Sequence, residues 1–168
     1  MVTSLFPQMS TLIRFAIVFA CASLASWSSA SGMAWYKDNI VPSKHSPPGF
    51  VFGLVWTFIY VTFAFVWSQE VQTGGTRTDF IYGVSLFLNV LWVLVFFTGH
   101  AIQPSIGIIV SLLAVVLFQA YDMWFHSKSD YPGLYTFLLL VYASWLICAT
   151  GLNIETYFNN ADNYRVIQ

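Results

Sequence analysis

Long apolar runs alternate with short polar ones along this chain. The apolar stretches are Leu12–Ala30, Phe50–Ser68, Phe80–Phe97, Ile106–Phe125 and Leu134–Asn153. Each is close to the ~20 residues a helix needs to cross about 30 Å of hydrocarbon. Polar connectors at Ser31–Gly49, Gln69–Asp79, Thr98–Ser105 and His126–Gly133 separate them. The pattern predicts an all-α, multi-pass integral membrane protein, one domain over residues 1–168, folded as a five-helix transmembrane bundle. Arg14 and Asp122 are the charged residues inside apolar stretches, and both lie near enough to an end to snorkel to an interface.

The first stretch admits two readings. Arg14, the run FAIVFACASLA and the small residues Ser28, Ser29 and Ala30 suit a cleavable signal peptide. Ala16 and Ala20, and separately Ala22, Ser26 and Ala30, recur at the four-residue spacing by which membrane helices pack. The second pattern favours a retained helix. Gly107 and Ser111 repeat that spacing in the fourth stretch, which is consistent with a dimer.

Inside the stretches the large rings follow helical steps. Phe52, Trp56, Tyr60, Phe63 and Trp67 share one face of the second helix. Tyr82, Ser85, Asn89, Trp92 and Phe96 share one face of the third, and Tyr135, Leu138, Tyr142, Trp145, Ala149 and Asn153 one face of the fifth. Trp67 and Trp124, near helix ends, read as interfacial belt residues. Trp56, Trp92 and Trp145 lie deeper. An indole N–H at that depth needs a partner, which predicts a polar-lined cavity between helices. The Asn89 amide has the same need, met either by another helix or by a ligand.

Composition narrows the classes. The chain is 58% hydrophobic and 8% charged, where a soluble domain carries about 25% charge, so lipid bilayer is its natural surroundings. Net charge is −1 with no basic cluster, which leaves no case for nucleic acid. Cys21 and Cys148 both fall in apolar segments, as packed thiols rather than a disulfide or a metal site. No nucleophile–base set, zinc signature, phosphate loop or paired carboxylates appears. The histidines, His45, His100 and His126, read as solvated connector side chains. The basic residues divide evenly between the two sides, Arg14, Arg77 and Lys128 against Lys37, Lys44 and Arg165, so they set no orientation.

The first connector, SGMAWYKDNIVPSKHSPPG, is long for so small a bundle and holds Trp35 and Tyr36. Pro47 and Pro48 stiffen it and suit the first turn of the next helix. It is expected to form a lid beside the aromatic stripe, with Trp35, Pro47 and Pro48 as lid and hinge.

Four strings together, Trp35-Tyr36, SPPGFVFGLVWTFIY, NVLWVLVFF and YASWLICATGLNIE, resemble the translocator protein family, also called tryptophan-rich sensory proteins or peripheral benzodiazepine receptors. The resemblance implies a five-helix bundle whose first loop closes over a pocket. It also implies binding of protoporphyrin IX or a related tetrapyrrole, with no other cofactor and no metal, as a receptor, carrier or regulator of tetrapyrrole levels. Sterol is a further implied ligand, and a homodimer an implied assembly. The implied binding residues are Tyr36, Trp56, Tyr60, Asn89, Trp92, Tyr142 and Trp145. Trp56 and Trp145 match the pair tied to photo-oxidative porphyrin breakdown, the enzymatic alternative; a purely structural subunit is the other. The chain departs from the family's pattern at Lys44 and His45, where a tryptophan is usual. It also departs at Leu94 and Val141, where prolines are common, so helices three and five are expected to be straighter. Tyr157 and Tyr164 lack the basic residue spacing of the sterol motif.

Overall fold

The structure, a computed structural model, describes residues 11–161, with the side chains of 71–76 set aside. Five helices are long and apolar enough to cross a membrane: α1 Thr11–Asn39, α2 Gly49–Glu70, α3 Arg77–Thr98, α4 Ile102–His126 and α5 Pro132–Asn159. The chain is thus a multi-pass integral membrane protein. Every helix overruns its apolar stretch, because hydropathy marks the hydrocarbon crossing while the helix itself continues into the interface. The largest correction concerns α1. It extends nine residues past Ala30, so Trp35 and Tyr36 are helical and the first loop shrinks to residues 40–48.

Helical backbone runs unbroken from Gly49 to Val93. A straight helix would separate Tyr60 from Asn89 by about 43 Å at 1.5 Å per residue. Their side chains are instead 2.6 Å apart, and the Phe63 and Tyr82 ring centroids 5.1 Å. The helix therefore folds back on itself between α2 and α3, and the expected open connector Gln69–Asp79 is a helical hairpin.

The ring stripes predicted from periodicity face inward. Tyr82, Ser85, Asn89, Trp92 and Phe96 are all buried along α3, as are Tyr135, Tyr142, Ala149 and Asn153 along α5. Tyr82, Trp92, Tyr135, Tyr142 and Ala149 join Val18 and Ala25 of α1 and Leu112 and Val116 of α4 in one core, where α4 packs most extensively on α5, while Phe96 packs apart with Ile40 and Ile102. The first stretch packs as a full member of the bundle, as expected of a retained helix.

Two interfacial assignments are overturned. Trp67 is no belt residue: it is 2% exposed and its indole donates to Asp79 Oδ1 at 2.9 Å. Arg14 does not snorkel either. It is 3% exposed, and its Nε and Nη2 donate to the two Asp79 oxygens at 2.9 and 3.2 Å. An unpaired charge at this depth would be costly, so the arginine stays inside by finding a carboxylate 65 residues away. Trp124, by contrast, is exposed as a belt residue should be.

The packing face of α1 is also rotated from its expected position. The buried row is Arg14, Val18, Ala25, Ser28 and Gly32, whereas Ala16, Ala20, Ser26 and Ala30 are exposed. Gly32 explains why. A Cβ there would lie 2.2 Å from the Phe97 carbonyl oxygen and 2.7 Å from its carbon, so α1 and α3 meet backbone to backbone. Opposite it, α3 turns from α to π geometry over Leu94–Thr98, although no proline stands at 94. That change shifts each N–H by one carbonyl, as in the Gly99 N–H to Leu94 bond at 2.8 Å. Ser28 of α1 reaches this junction: it donates to the Val93 carbonyl at 3.3 Å, and its hydroxyl shares a hydrogen bond of 2.8 Å with that of Thr98.

Gly32→Ala is expected to lower thermal stability in detergent by about 1–3 kcal/mol, because only backbone can give way. Gly107→Ala, where a Cβ meets open space, should be neutral or slightly stabilising through helix propensity. Equal Tm values for the two variants would remove the α1–α3 contact from this account.

Candidate functional site

A cavity of about 1090 Å³ lies among α1, the first half of α2, the end of α3 and the end of α5. It exceeds the usual 300–1,000 Å³ of a small-molecule site. The row Ala22, Ser26 and Ala30 of α1 forms one wall, so the small residues expected to pack helices instead leave room beside one. Facing them are Gly53, Thr57 and the rings Phe52, Trp56 and Tyr60 of α2. Trp27 lines the cavity too and is 61% exposed, which puts an opening on the side of the bundle between α1 and α2.

Of the residues predicted to bind, Tyr36, Trp56, Tyr60 and Trp92 line this cavity; Asn89, Tyr142 and Trp145 stand behind it. Trp56 connects the two sets. Its ring lies 5.8 Å from Tyr60, 5.7 Å from Trp92, 6.1 Å from Tyr142 and 6.4 Å from Trp145. Edge and tilted contacts at these distances fix ring orientation as well as filling space. Asn89 takes the interhelical option left open by sequence. Tyr60 donates to Asn89 Oδ1 at 2.6 Å, and Asn89 Nδ2 donates to the Tyr142 hydroxyl at 3.1 Å. This three-helix chain is the cavity's floor, and below it Phe63, Trp67 and Tyr82 pack solidly. The Trp92 and Trp145 indole N–H groups are buried with no partner among the described residues.

The roof is the loop at residues 40–48. Pro42, Ser46 and Pro47 line the cavity, while Pro48 precedes α2 in extended geometry, with φ −53° and ψ 144°. Tyr36 lines it from the last turns of α1 rather than from a loop, packed on Phe96 and Phe97. Trp35 lies off the cavity and stacks on His100 at 4.2 Å and 11°. His100 adopts φ 54° where α3 ends, a left-handed position that usually falls to glycine. Trp35 is thus a clamp between α1 and the α3 terminus, not part of the lid.

Sequence reasoning missed what holds the roof. Val41 N–H donates to Asn160 Oδ1 and Asn160 Nδ2 donates back to the Val41 carbonyl, both at 2.9 Å. Asn159 reaches the Pro42 carbonyl at 3.1 Å, and Ser43 and His45 both bond Glu155. These partners are more than 100 residues apart, and single polar side chains in a tail carry no periodic signal. His45, which stands near the family's usual tryptophan, therefore ties the loop to α5 by a polar contact. His126 likewise pairs with Asp122 at 3.4 Å, so none of the three histidines is merely solvated.

Asn160→Ala is expected to speed hydrogen exchange at the Val41 amide roughly tenfold or more, since the loop's paired backbone is released there. Unchanged exchange would mean that the loop is held by its prolines alone.

Residues 14–158 match the TspO/MBR family. The chain is 31% identical over 123 residues to the tryptophan-rich sensory protein of Cereibacter sphaeroides, covering 72% of this chain and 73% of that one. It is 30% identical over 148 residues to the tryptophan-rich protein TspO of Archaeoglobus fulgidus, covering 86% and 92%. With the TspO protein of Chlorobaculum tepidum it shares 26% over 125 residues, 71% of this chain and 76% of the other. Five membrane-spanning helices, the aromatic stripes they bring together and a match over most of the length agree: this chain belongs to the TspO/MBR family.

Proposed function

We propose that the protein is a membrane receptor or carrier for a tetrapyrrole, taken up in the cavity between α1, α2 and α5. The observation that carries this reading is the cavity's lining. Flat rings from three helices, Tyr36, Trp56, Tyr60, Trp92 and Phe96, meet around one large space. A porphyrin offers two wide π faces that such rings can stack against, and its apolar periphery suits a lipid-level site. Among the described residues no lysine or arginine lines the cavity; its polar groups are hydroxyls and amides such as Ser26, Thr57, Asn153 and Thr156. The tetrapyrrole's carboxylates therefore stay at the roof end of the cavity, near Ser46.

In this reading the wall and the floor have different tasks. Trp56 and Trp92 contact the macrocycle. Asn89 and Tyr142 hold Tyr60 in place and touch the ligand only through it. Trp145 supports Trp56 at 6.4 Å. The opening beside Trp27 admits an apolar ligand directly from the bilayer.

Titration with protoporphyrin IX, followed by tryptophan-fluorescence quenching in detergent, tests the assignment. Trp56→Ala should weaken binding at least tenfold, about 1.4 kcal/mol. Trp124→Ala, on the exposed face of α4, should leave affinity unchanged. Equal affinities for wild type and Trp56→Ala would place the ligand elsewhere.

A further inference from the structure

The polar groups of the cavity wall are not equivalent. Ser23, Ser29 and Thr57 donate back to the Phe19, Ser26 and Gly53 carbonyls of their own helices, so their hydroxyl protons are satisfied within the wall. The Tyr36 hydroxyl lies within hydrogen-bonding reach of Thr156 on α5 and Ser46 in the roof. Asn153 stands apart from these. It lines the cavity from α5 and is 5% exposed, yet its side-chain amide has no hydrogen-bond partner among the described residues.

The other amides near the end of α5 are all engaged. Asn160 bonds Val41 and the Thr156 carbonyl, and Asn159 bonds the Pro42 carbonyl. Asn153 continues the inward row of Trp145 and Ala149, one turn before Thr156, which places it toward the roof end of the cavity. An amide carries two donors and an acceptor. A ligand that fills the cavity with apolar surface alone strands all three away from water, at a cost that lipid surroundings do not relieve. A ligand that brings a polar end group to the same place replaces the lost hydrogen bonds.

We infer that Asn153 is a specificity-determining contact, selecting ligands that carry a hydrogen-bonding end group, a carboxyl above all, at the roof end of the cavity. The inference rests on the tetrapyrrole reading and adds which part of that ligand is recognised. Trp56 and Trp92 meet the macrocycle, which every porphyrin shares. Asn153 Nδ2 donates to an oxygen of one carboxyl side chain, which only some porphyrins have. A porphyrin with alkyl side chains stacks on the same rings but leaves the amide unpaired, and a site built to hydrogen-bond its ligand discriminates strongly against an analogue without the partner group.

Titrations of the full-length protein in detergent with protoporphyrin IX and with etioporphyrin, a porphyrin bearing alkyl side chains only, test this by tryptophan-fluorescence quenching. The ratio of the two affinities is the readout, because partition of each porphyrin into detergent cancels between wild type and variant. Asn153→Leu, similar in volume, should weaken protoporphyrin IX binding about tenfold and leave etioporphyrin binding as tight as in wild type, or tighter. Asn153→Ala should show the same selective loss if the leucine variant does not fold. An unchanged ratio in a folded variant, whether both affinities hold or both fall together, would overturn the inference and leave the tetrapyrrole reading standing. No saturable quenching of wild type by either porphyrin would overturn that reading and this inference with it.

Discussion

The fold depends on one contact: the backbone of α1 lying against the backbone of α3 at Gly32 and Phe97. Water cannot satisfy polar groups at membrane depth, and apolar burial adds little attraction between helices already in lipid. Close backbone approach and local hydrogen bonding must do the work instead. Gly32 allows the approach, and the Ser28–Val93–Thr98 bonds fasten the π segment that it faces. The Arg14–Asp79 pair fastens the other end of α1 to α3. Held at both ends to one neighbour, α1 turns its small residues toward α2 without touching it closely, and the cavity is what remains between them.

The bundle is consequently divided along its length. From the Tyr60–Asn89–Tyr142 chain toward the hairpin, rings and aliphatic side chains fill most of the interior, and buried Arg14 is paired with Asp79. From that chain toward the roof, the same stripes line open space. A hydrogen-bonded network within low dielectric is costly to break and rigidifies the residues it joins, so it suits the boundary between a packed core and a binding cavity. The roof is attached in a different way, by polar contacts from the α5 terminus to a proline-stiffened loop. Asn160 and Ser43 are buried at this attachment, whereas the His45–Glu155 and Asn159–Pro42 contacts are exposed to water.

The helices and the inward faces of α2, α3 and α5 were legible in the sequence because both rest on local properties. Hydropathy marks a crossing, and ring spacing marks a stripe. What each stripe faces was not legible. The four-residue row Ala22, Ser26 and Ala30 carries the same pattern whether it packs a helix or borders a cavity; the choice is made by Gly32 on the adjacent face. Trp67 and Arg14 resembled interfacial residues because they sit near span ends, yet both are drawn inward by Asp79, a residue the hairpin brings back beside them. The overrun of α1 through Trp35 and Tyr36 was hidden because polar interfacial residues continue a helix without prolonging its apolar run. The π segment showed no proline signal at all.

Filling the cavity without disturbing its walls is the most direct test of the central claim, that the space left by α1 is where ligand binds. Gly53 lines the cavity and a Cβ there meets nothing within 4 Å, so Gly53→Trp places a ring in that space. The account predicts a variant that melts at or above the wild-type temperature and binds protoporphyrin IX at least tenfold more weakly, about 1.4 kcal/mol. A stable Gly53→Trp protein that binds protoporphyrin IX with undiminished affinity would contradict it.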